Sequence, residues 1–457
     1  MAETSPSPAG LDRQLEDLVE FRACLYRCFP SWGDALFELG DALLGAPGAV
    51  GSVPALSLEP VFRRSHGSLY KALARGDIDA EAMRALLVAT RPQSWPLVFA
   101  VDASTWERPD AETSPERGFY YSASKHSAGQ PIAAGWSYQW IAQLNWEANS
   151  WTAPLDALRI APTADATTST VGQLKALVAL LPNDGAVPVF VLDAGYDPAG
   201  LAYGLSDTRA QVVVRIRDDR VFYAEAPKGR PGRPKGRPRR HGRRFKCSDA
   251  RTYGRPDDEV TISDPRYGTI RARAWHNLHP RLSRRGQWSE QAEIPIVAAS
   301  VIRVDVDHLP KSDGRVKKVL WLWWSGPGEP DLEMCVKAYL HRFDVEHTYR
   351  FAKNTLGWTA PCPQSPHQAD RWTWLIIAAY TQLRLARSLV EDMRMPWERR
   401  RAPGKLTPAR VRRGFRRLGT TIGTPASPPK SNKAGPGRPK GTTRPRRTRH
   451  PVVKKAA

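Results

Sequence analysis

The chain has 457 residues, of which 68 are Lys or Arg and 46 are Asp or Glu, so its formal charge is +22, and it carries 16 tryptophans. That length holds two or three domains with a substantial core, and a charge of this size points to nucleic acid. The five cysteines show no paired CxxC spacing, and neither a secretory leader nor an apolar stretch of bilayer length is found, which excludes zinc-finger, disulfide-framework and membrane-spanning classes and predicts a soluble protein of a reducing cytoplasm.

Residues 1–93 read as a helical, candidate DNA-binding domain. Apolar residues recur at helical spacing over Leu11–Phe29, Trp32–Leu44 and Ala80–Thr90, broken by a Gly/Pro-rich loop at Gly45–Pro54. Pro60–Leu73 suits part of a helix-turn-helix, with a plain helical bundle as the alternative. From Trp95 the pattern changes to strands: Leu97–Asp102, Ile132–Leu144, Ser150–Ile160, then a helix near Val171–Leu181, a strand at Ala186–Asp193 and another at Gln211–Arg217. Strands joined by a crossover helix predict an α/β domain that begins in residues 94–223.

Residues 224–330 read as a basic linker followed by a β-rich insertion, with strand-like runs at Glu259–Ser263, Thr269–Trp275, Ile294–Val306 and Val316–Trp324. Ser312-Asp-Gly314 is a hairpin signal before the last of these. Trp321, Trp323 and Trp324 read as core, with base stacking as the alternative. Residues 331–395 read as the helical second part of that α/β domain, and 396–457 as a basic, disordered Pro/Gly-rich tail.

The most informative stretch is Tyr339, Arg342, Glu346 and Lys353, a Y-x2-R-x3-E-x6-K series. On one helix these positions fall within roughly 60° of each other over about 21 Å. Core packing calls for Leu, Val or Ile on such a stripe; a phenol, a carboxylate and two cations, with Arg350 close by, suit phosphates and a metal ion instead. One carboxylate cannot hold a catalytic Mg²⁺ alone, because that hard cation takes several oxygen ligands. Two more acids stand at the ends of buried-strand runs, Pro96–Asp102 and Ala186–Asp193, and Gly195 after the second allows a sharp exit.

Two strand-end Asp residues and a later helical Glu within the Y-R-E-K spacing resemble the DDE transposases of bacterial insertion sequences, in the group that bears that signature. The resemblance runs from Asp102 to Lys353, and Asp193-Ala-Gly-Tyr196 is similar to the family's second-Asp motif; the ends of the chain match no family element. It implies a ribonuclease-H-like catalytic domain interrupted by a β-rich insertion. It also implies Asp102, Asp193 and Glu346 as the catalytic, metal-binding triad for two Mg²⁺ or Mn²⁺ ions, and cleavage and strand transfer at the terminal inverted repeats of an insertion sequence. The implied partners are those repeats and target DNA, held by a homodimer or higher oligomer in a nucleoid-associated, cytoplasmic complex. Two metals about 3.5–4 Å apart activate the attacking oxygen and stabilise the leaving one, so no protein nucleophile is needed. Tyr339, Arg342, Arg350 and Lys353 are then expected beside the DNA backbone.

The charge is concentrated. Lys228–Lys246 and Pro428–Ala457 each contain ten Lys or Arg and no acid, which leaves 22 − 20 = +2 for the rest. Both contain Pro-Gly-Arg-Pro-Lys-Gly, centred on Arg233 and Arg438. These hexapeptides resemble AT-hooks, in which Arg enters a narrow A·T minor groove; the alternative is a basic arm with sequence-independent affinity.

Other acids are weaker candidates. Asp344 lies about 160° around the helix from Glu346, and Asp110 and Asp197 fall in loops. A tyrosine recombinase is the rival chemistry, with a His347-x-x-Arg350 box and Tyr380 as nucleophile, although Trp374, Ile377 and Tyr380 share an apolar helical face. A domesticated relative that binds DNA without cutting is the non-enzymatic rival. No Walker or dinucleotide motif occurs, so nucleotide hydrolysis is not indicated.

Overall fold

A computed structural model describes residues 8–121, 131–147, 149–227, 239–309, 318–402, 404–430, 439–441, 443 and 446–454. Helices α1 (Pro8–Arg27), α2 (Gly33–Gly45) and α5 (Ala80–Ala89) form near the expected positions, with α3 (Val53–Leu56) and α4 (His66–Arg75) between them. Asp79 caps α5 by accepting from the Glu81 and Ala82 amides at 3.1 and 2.9 Å. Residues 57–65 are not helical, and within the Pro60–Leu73 stretch α4 starts at His66 and is followed by α5 after residues 76–79. Pro60, which has no amide hydrogen to donate, and Ser65 ahead of α4 favour turns over a helix in residues 57–65.

The strands are β1 (Val98–Glu107), β2 (Gly118–Tyr121), β3 (Ile132–Gln143), β4 (Ala153–Ile160), β5 (Val189–Leu192), β6 (Gln211–Ile216), β7 (Val221–Tyr223), β8 (Arg244–Lys246), β9 (Asp258–Asp264), β10 (Gly268–Pro280), β11 (Ala299–Val306) and β12 (Val319–Ser325). Helices α6 (Ala166–Val178) and α7 (Pro198–Gly204) flank β5 in sequence. All twelve strands belong to one mixed sheet, ordered β2-β3-β1-β5-β6-β12-β11-β10-β7-β8, with β4 on β3 and β9 on β10. Strand β1 is antiparallel to β3 and parallel to β5, which is parallel to β6.

The strands of the expected β-rich insertion continue the central sheet, because β12 pairs antiparallel with β6. Its Trp321, Trp323 and Trp324 are buried, as core packing requires. The Ser312–Gly314 hairpin signal lies outside the described residues.

Three helices follow: α8 (Leu332–His341), α9 (Asp344–Asn354) and the long apolar α10 (Pro366–Leu385). A further helix, α11 (Pro408–Ile422), occupies the segment expected to be a disordered tail. It buries Val411 and Phe415 and lies on the N-terminal helices, where Arg412 Nε donates to Leu43 O at 2.9 Å. Arg22, 3% exposed, ties the same layer together through Asp41, Gln382 and the Gly423 carbonyl. Farther on, the His450 and Val453 amides donate to Glu112 O and Arg117 O at 2.8 and 2.7 Å, so part of the tail lies along the β2 edge.

Candidate active site

Register brings the two Asp residues together. Val101 stands opposite Leu192 as the last step of the parallel β1–β5 pairing, so Asp102 and Asp193 both follow at the sheet's carboxyl edge. The preceding residues, Val98–Val101 and Val189–Leu192, are buried on both faces, as parallel strands under helices are. One expectation needs correction: Asp102 does not end its strand. β1 continues to Glu107 against β3, and only its partner β5 stops. Nor is Gly195 required for space, since a Cβ there meets nothing within 4 Å and its backbone is not left-handed.

Glu346 reaches the same edge from another direction. The Y-R-E-K series is not one continuous helix: α8 ends at His341 and α9 starts at Asp344. Between them the Val345 and Glu346 amides donate to Arg342 O and Phe343 O at 3.2 and 3.1 Å, which are i−3 bonds of a tightened turn. Tyr339 and Arg342 thus stand at the end of α8, while Glu346 and Lys353 lie on α9. Aromatic packing anchors α9 on the sheet: Tyr349 stacks on Trp358 at 5.9 Å, Trp358 meets Trp140 at 4.8 Å, and the Tyr349 hydroxyl donates to Asp102 O at 2.6 Å. Each aromatic pair adds about 0.5–1.5 kcal/mol beyond its buried area, so the helix bearing Glu346 is held firmly over β1.

Arg342 stands at the centre. Its guanidinium is 3.8 Å from Asp102 Oδ1, 3.6 Å from Asp193 Oδ2 and 3.9 Å from Glu346 Oε1. Its side chain is 3% exposed, against 22%, 39% and 51% for the three carboxylates. Burial pushes the Asp102 carboxyl up to about 6, against the lowering effect of Arg342, with Glu346 and Asp193 adding to the rise. Asp193 also accepts from the Tyr339 hydroxyl at 3.4 Å and lies 3.7 Å from Arg215 Nη1.

The remaining expected residues divide. Tyr339 is 3% exposed and Arg342 2%, both turned to the carboxylates. Lys353 Nζ donates to Thr105 O at 3.4 Å and lies over the Trp358 ring, and burial lowers its pKa. Arg350 is exposed, one turn beyond Glu346 on α9. Arg233 and Arg438 lie outside the described residues. Asp344 pairs with His341, Asp110 with Arg108, and Asp197 caps α7, so none joins the cluster. Tyr380, 1% exposed, packs between Trp151 and Phe351 with its hydroxyl against the Thr152 amide, which leaves no approach for a phosphodiester.

Two nearby residues, Arg215 and Tyr349, escaped sequence reasoning. Arg215 had a signal, a cation inside the apolar run Val212–Ile216. Tyr349 had none, because it acts through burial; Tyr196 stood in the Asp193-Ala-Gly-Tyr196 segment, without a role of its own. The Tyr196 hydroxyl is enclosed, has no hydrogen-bond partner, and is pushed up by burial and by Asp102.

The donor chemistry fits a hard divalent cation: three carboxylates from separate elements face one positive centre, with an unpartnered phenol beside Asp102. In this arrangement the guanidinium holds that centre, and among the described residues no group of three His, Cys, Asp or Glu side chains is placed to hold a metal ion as it stands. Among the described residues no helix is long and apolar enough to cross a membrane.

No curated protein matches the chain. A solved structure of the piggyBac transposase synaptic complex with hairpin DNA is similar at 10% identity and a TM-score of 0.41, over 92% of this chain and 83% of that one. A family profile described as DDE superfamily endonuclease matches residues 24–281, more than half of the 457 positions, including Asp102 and Asp193 and ending before Glu346. The chain belongs to the DDE superfamily endonuclease family.

Proposed function

We propose that this protein is a transposase of the Y-R-E-K group that cuts and joins DNA at the ends of a bacterial insertion sequence, with Asp102, Asp193 and Glu346 as its catalytic carboxylates. The observation that carries this reading is the convergence of those three side chains, from β1, the end of β5 and α9, on one cationic centre. The ribonuclease-H-like assignment is supported by the antiparallel β1–β3–β4 meander followed by parallel β5 and β6.

Asp102, Asp193 and Glu346 would hold two Mg²⁺ or Mn²⁺ ions. When bound, these ions supply Lewis-acid activation of the attacking oxygen and stabilisation of the leaving oxygen in an in-line phosphoryl transfer. The chain's own residues set the geometry. Tyr339 orients the Asp193 carboxylate, Tyr349 fixes the backbone of Asp102, and the Trp140–Trp358–Tyr349 packing holds α9 at its height over the sheet. Arg350, exposed beside Glu346, is the side chain best placed to take a phosphate of the DNA strand. Arg342 and Lys353 would serve DNA only on leaving their present partners.

Terminal inverted repeats and target DNA are the proposed partners, held by a dimer or larger assembly in the cytoplasm. The basic segments around Arg233 and Arg438 would supply additional DNA affinity. The proposed division of the chain is a helical region to residue 93, a catalytic domain from 94, a basic linker and β-rich segment over 224–330, the Glu346 helices to 395, and a basic C-terminal region. The test is strand cleavage on a duplex carrying the sequences that flank the gene. Asp102→Ala, Asp193→Ala and Glu346→Ala should each abolish cutting and leave DNA binding intact, and a cutting Glu346→Ala protein would end the reading.

A further inference from the structure

The loop between α10 and α11 holds a large aromatic side chain rigidly in water. The Glu398 amide donates to Met395 O at 3.0 Å, closing a turn whose two central residues are Pro396 and Trp397. The Met395 amide donates back to Glu398 Oε2 at 2.8 Å, and Arg413 Nη2 lies 2.6 Å from the same oxygen. At the base of the loop, Asp392 has a side chain only 7% exposed and accepts from the Arg401 amide at 2.8 Å and from Arg410 Nη1 at 2.9 Å. Arg410 also donates to Arg399 O at 2.8 Å. A nearly buried ion pair therefore fixes both ends of a loop whose tip is Trp397, 80% exposed.

Hydrophobic burial would draw an indole inward, and here a built network holds it out. Ordering the tip costs little on binding, because the network has already ordered it. The next three residues set the partner's charge. Arg399, Arg400 and Arg401 are exposed, and among the described residues their side chains meet no carboxylate. A rigid π face followed by three free guanidiniums complements a polyanion that carries flat rings.

We propose that Trp397 with Arg399–Arg401 forms a second nucleic-acid contact, separate from the carboxylate cluster, which stacks an unpaired or everted DNA base on the indole and seats the adjoining phosphates on the arginines. This site rests on the reading that the protein acts on DNA. Stacking of this kind is tolerant of sequence and depends on an accessible base face, so the site selects unpaired or distorted strands over intact duplex.

The experiment is an anisotropy titration of the full-length protein with labelled oligo(dT) and with a blunt G·C-rich duplex of equal length, across a salt series. Trp397→Ala should weaken oligo(dT) binding about 5- to 150-fold, the loss expected for one stacked base, and leave duplex affinity nearly unchanged. Trp397→Phe should recover most of the loss. Replacing Arg399, Arg400 and Arg401 together by Ala should lower the log–log salt slope on oligo(dT) by about 2, at about 0.7 per phosphate. Unchanged oligo(dT) binding by Trp397→Ala, while the parent protein binds both probes, overturns this site alone. Equal losses on both probes overturn the base-stacking claim. A change in self-association by light scattering with unchanged DNA affinity makes the loop a protein contact and overturns it as well. A parent protein that binds neither probe overturns both this site and the DNA reading beneath it.

Discussion

Replacing Arg342 by Gln removes the cation that three carboxylates share, and the structure sets the size and pH dependence of the effect. The guanidinium lies 3.6–3.9 Å from Asp102, Asp193 and Glu346, whose side chains keep 22%, 39% and 51% exposure. Breaking a buried ion pair costs about 3–5 kcal/mol, and solvent screening of these half-open carboxylates places the loss near the lower end, about 3 kcal/mol. Unfolding entropy of about 2.1 cal/mol/K per residue over 457 residues is about 1 kcal/mol/K, so the melting midpoint should fall by about 3 °C. The sign of the pH dependence follows from Asp102, whose pKa of about 6 exceeds its ordinary value near 4. The native state then binds more protons than the unfolded one between about 4 and 6, so this group's stabilisation is full below that window and lost as pH rises through about 6. Removing Arg342 moves the upper edge of the window higher. The deficit should therefore be largest near pH 8 and shrink near pH 5, where Asp102 is mostly protonated in both proteins. Calorimetric scans of chelator-treated protein at the two pH values measure this, and added Mn²⁺ near pH 8 should rescue the variant more than it stabilises the parent. A variant as stable as its parent near pH 8, or a deficit of equal size at both pH values, refutes the shared-cation argument.

Tyr380→Phe should keep full cleavage activity and lose about 1 kcal/mol of stability by denaturant titration, because its buried hydroxyl makes long bonds to Thr152 and Thr348 and no approach to substrate. Trp358→Ala should cost about 3–5 kcal/mol and depress cleavage more than DNA binding, since it empties the aromatic seat under α9. Deleting Pro428–Ala457 should weaken duplex binding and flatten its salt dependence by about 0.9 per lost phosphate contact; Arg233→Ala with Arg438→Ala should cost more on A·T-rich than on G·C-rich duplex if the hexapeptides read the minor groove. The same deletion should speed amide exchange at Gly118 and its neighbours, where Val453 lies against the β2 edge.

Local pattern carried the sequence reading where local pattern decides structure. The apolar runs before Asp102 and Asp193 are of strand length and rich in Val and Phe, as strands buried on both faces are, and α1, α2 and α5 follow from apolar spacing. Pairing partners were not legible: nothing near Asp102 says that β5 stops one step earlier while β3 runs on. The break between α8 and α9 escaped a periodicity argument because the tightened turn at Arg342–Phe343 contains neither Gly nor Pro. Arg342 was expected at a DNA backbone, yet its burial among three acids depends on residues more than 140 positions apart, as its contact with Asp193 shows. α11 did leave a signal, Thr407-Pro408 ahead of Val411, Phe415 and Leu418 at helical spacing, which the basic composition masked.

The central claim is that Asp102, Asp193 and Glu346 together hold the divalent metal. Fe²⁺ substituted at the site, with ascorbate and peroxide, cuts the polypeptide next to wherever the ion binds. The account predicts backbone scission near residues 102, 193 and 346, suppressed by excess Mg²⁺ and lost in Asp193→Asn. Scission elsewhere in the chain, or a pattern indifferent to Mg²⁺ and to that substitution, would contradict it.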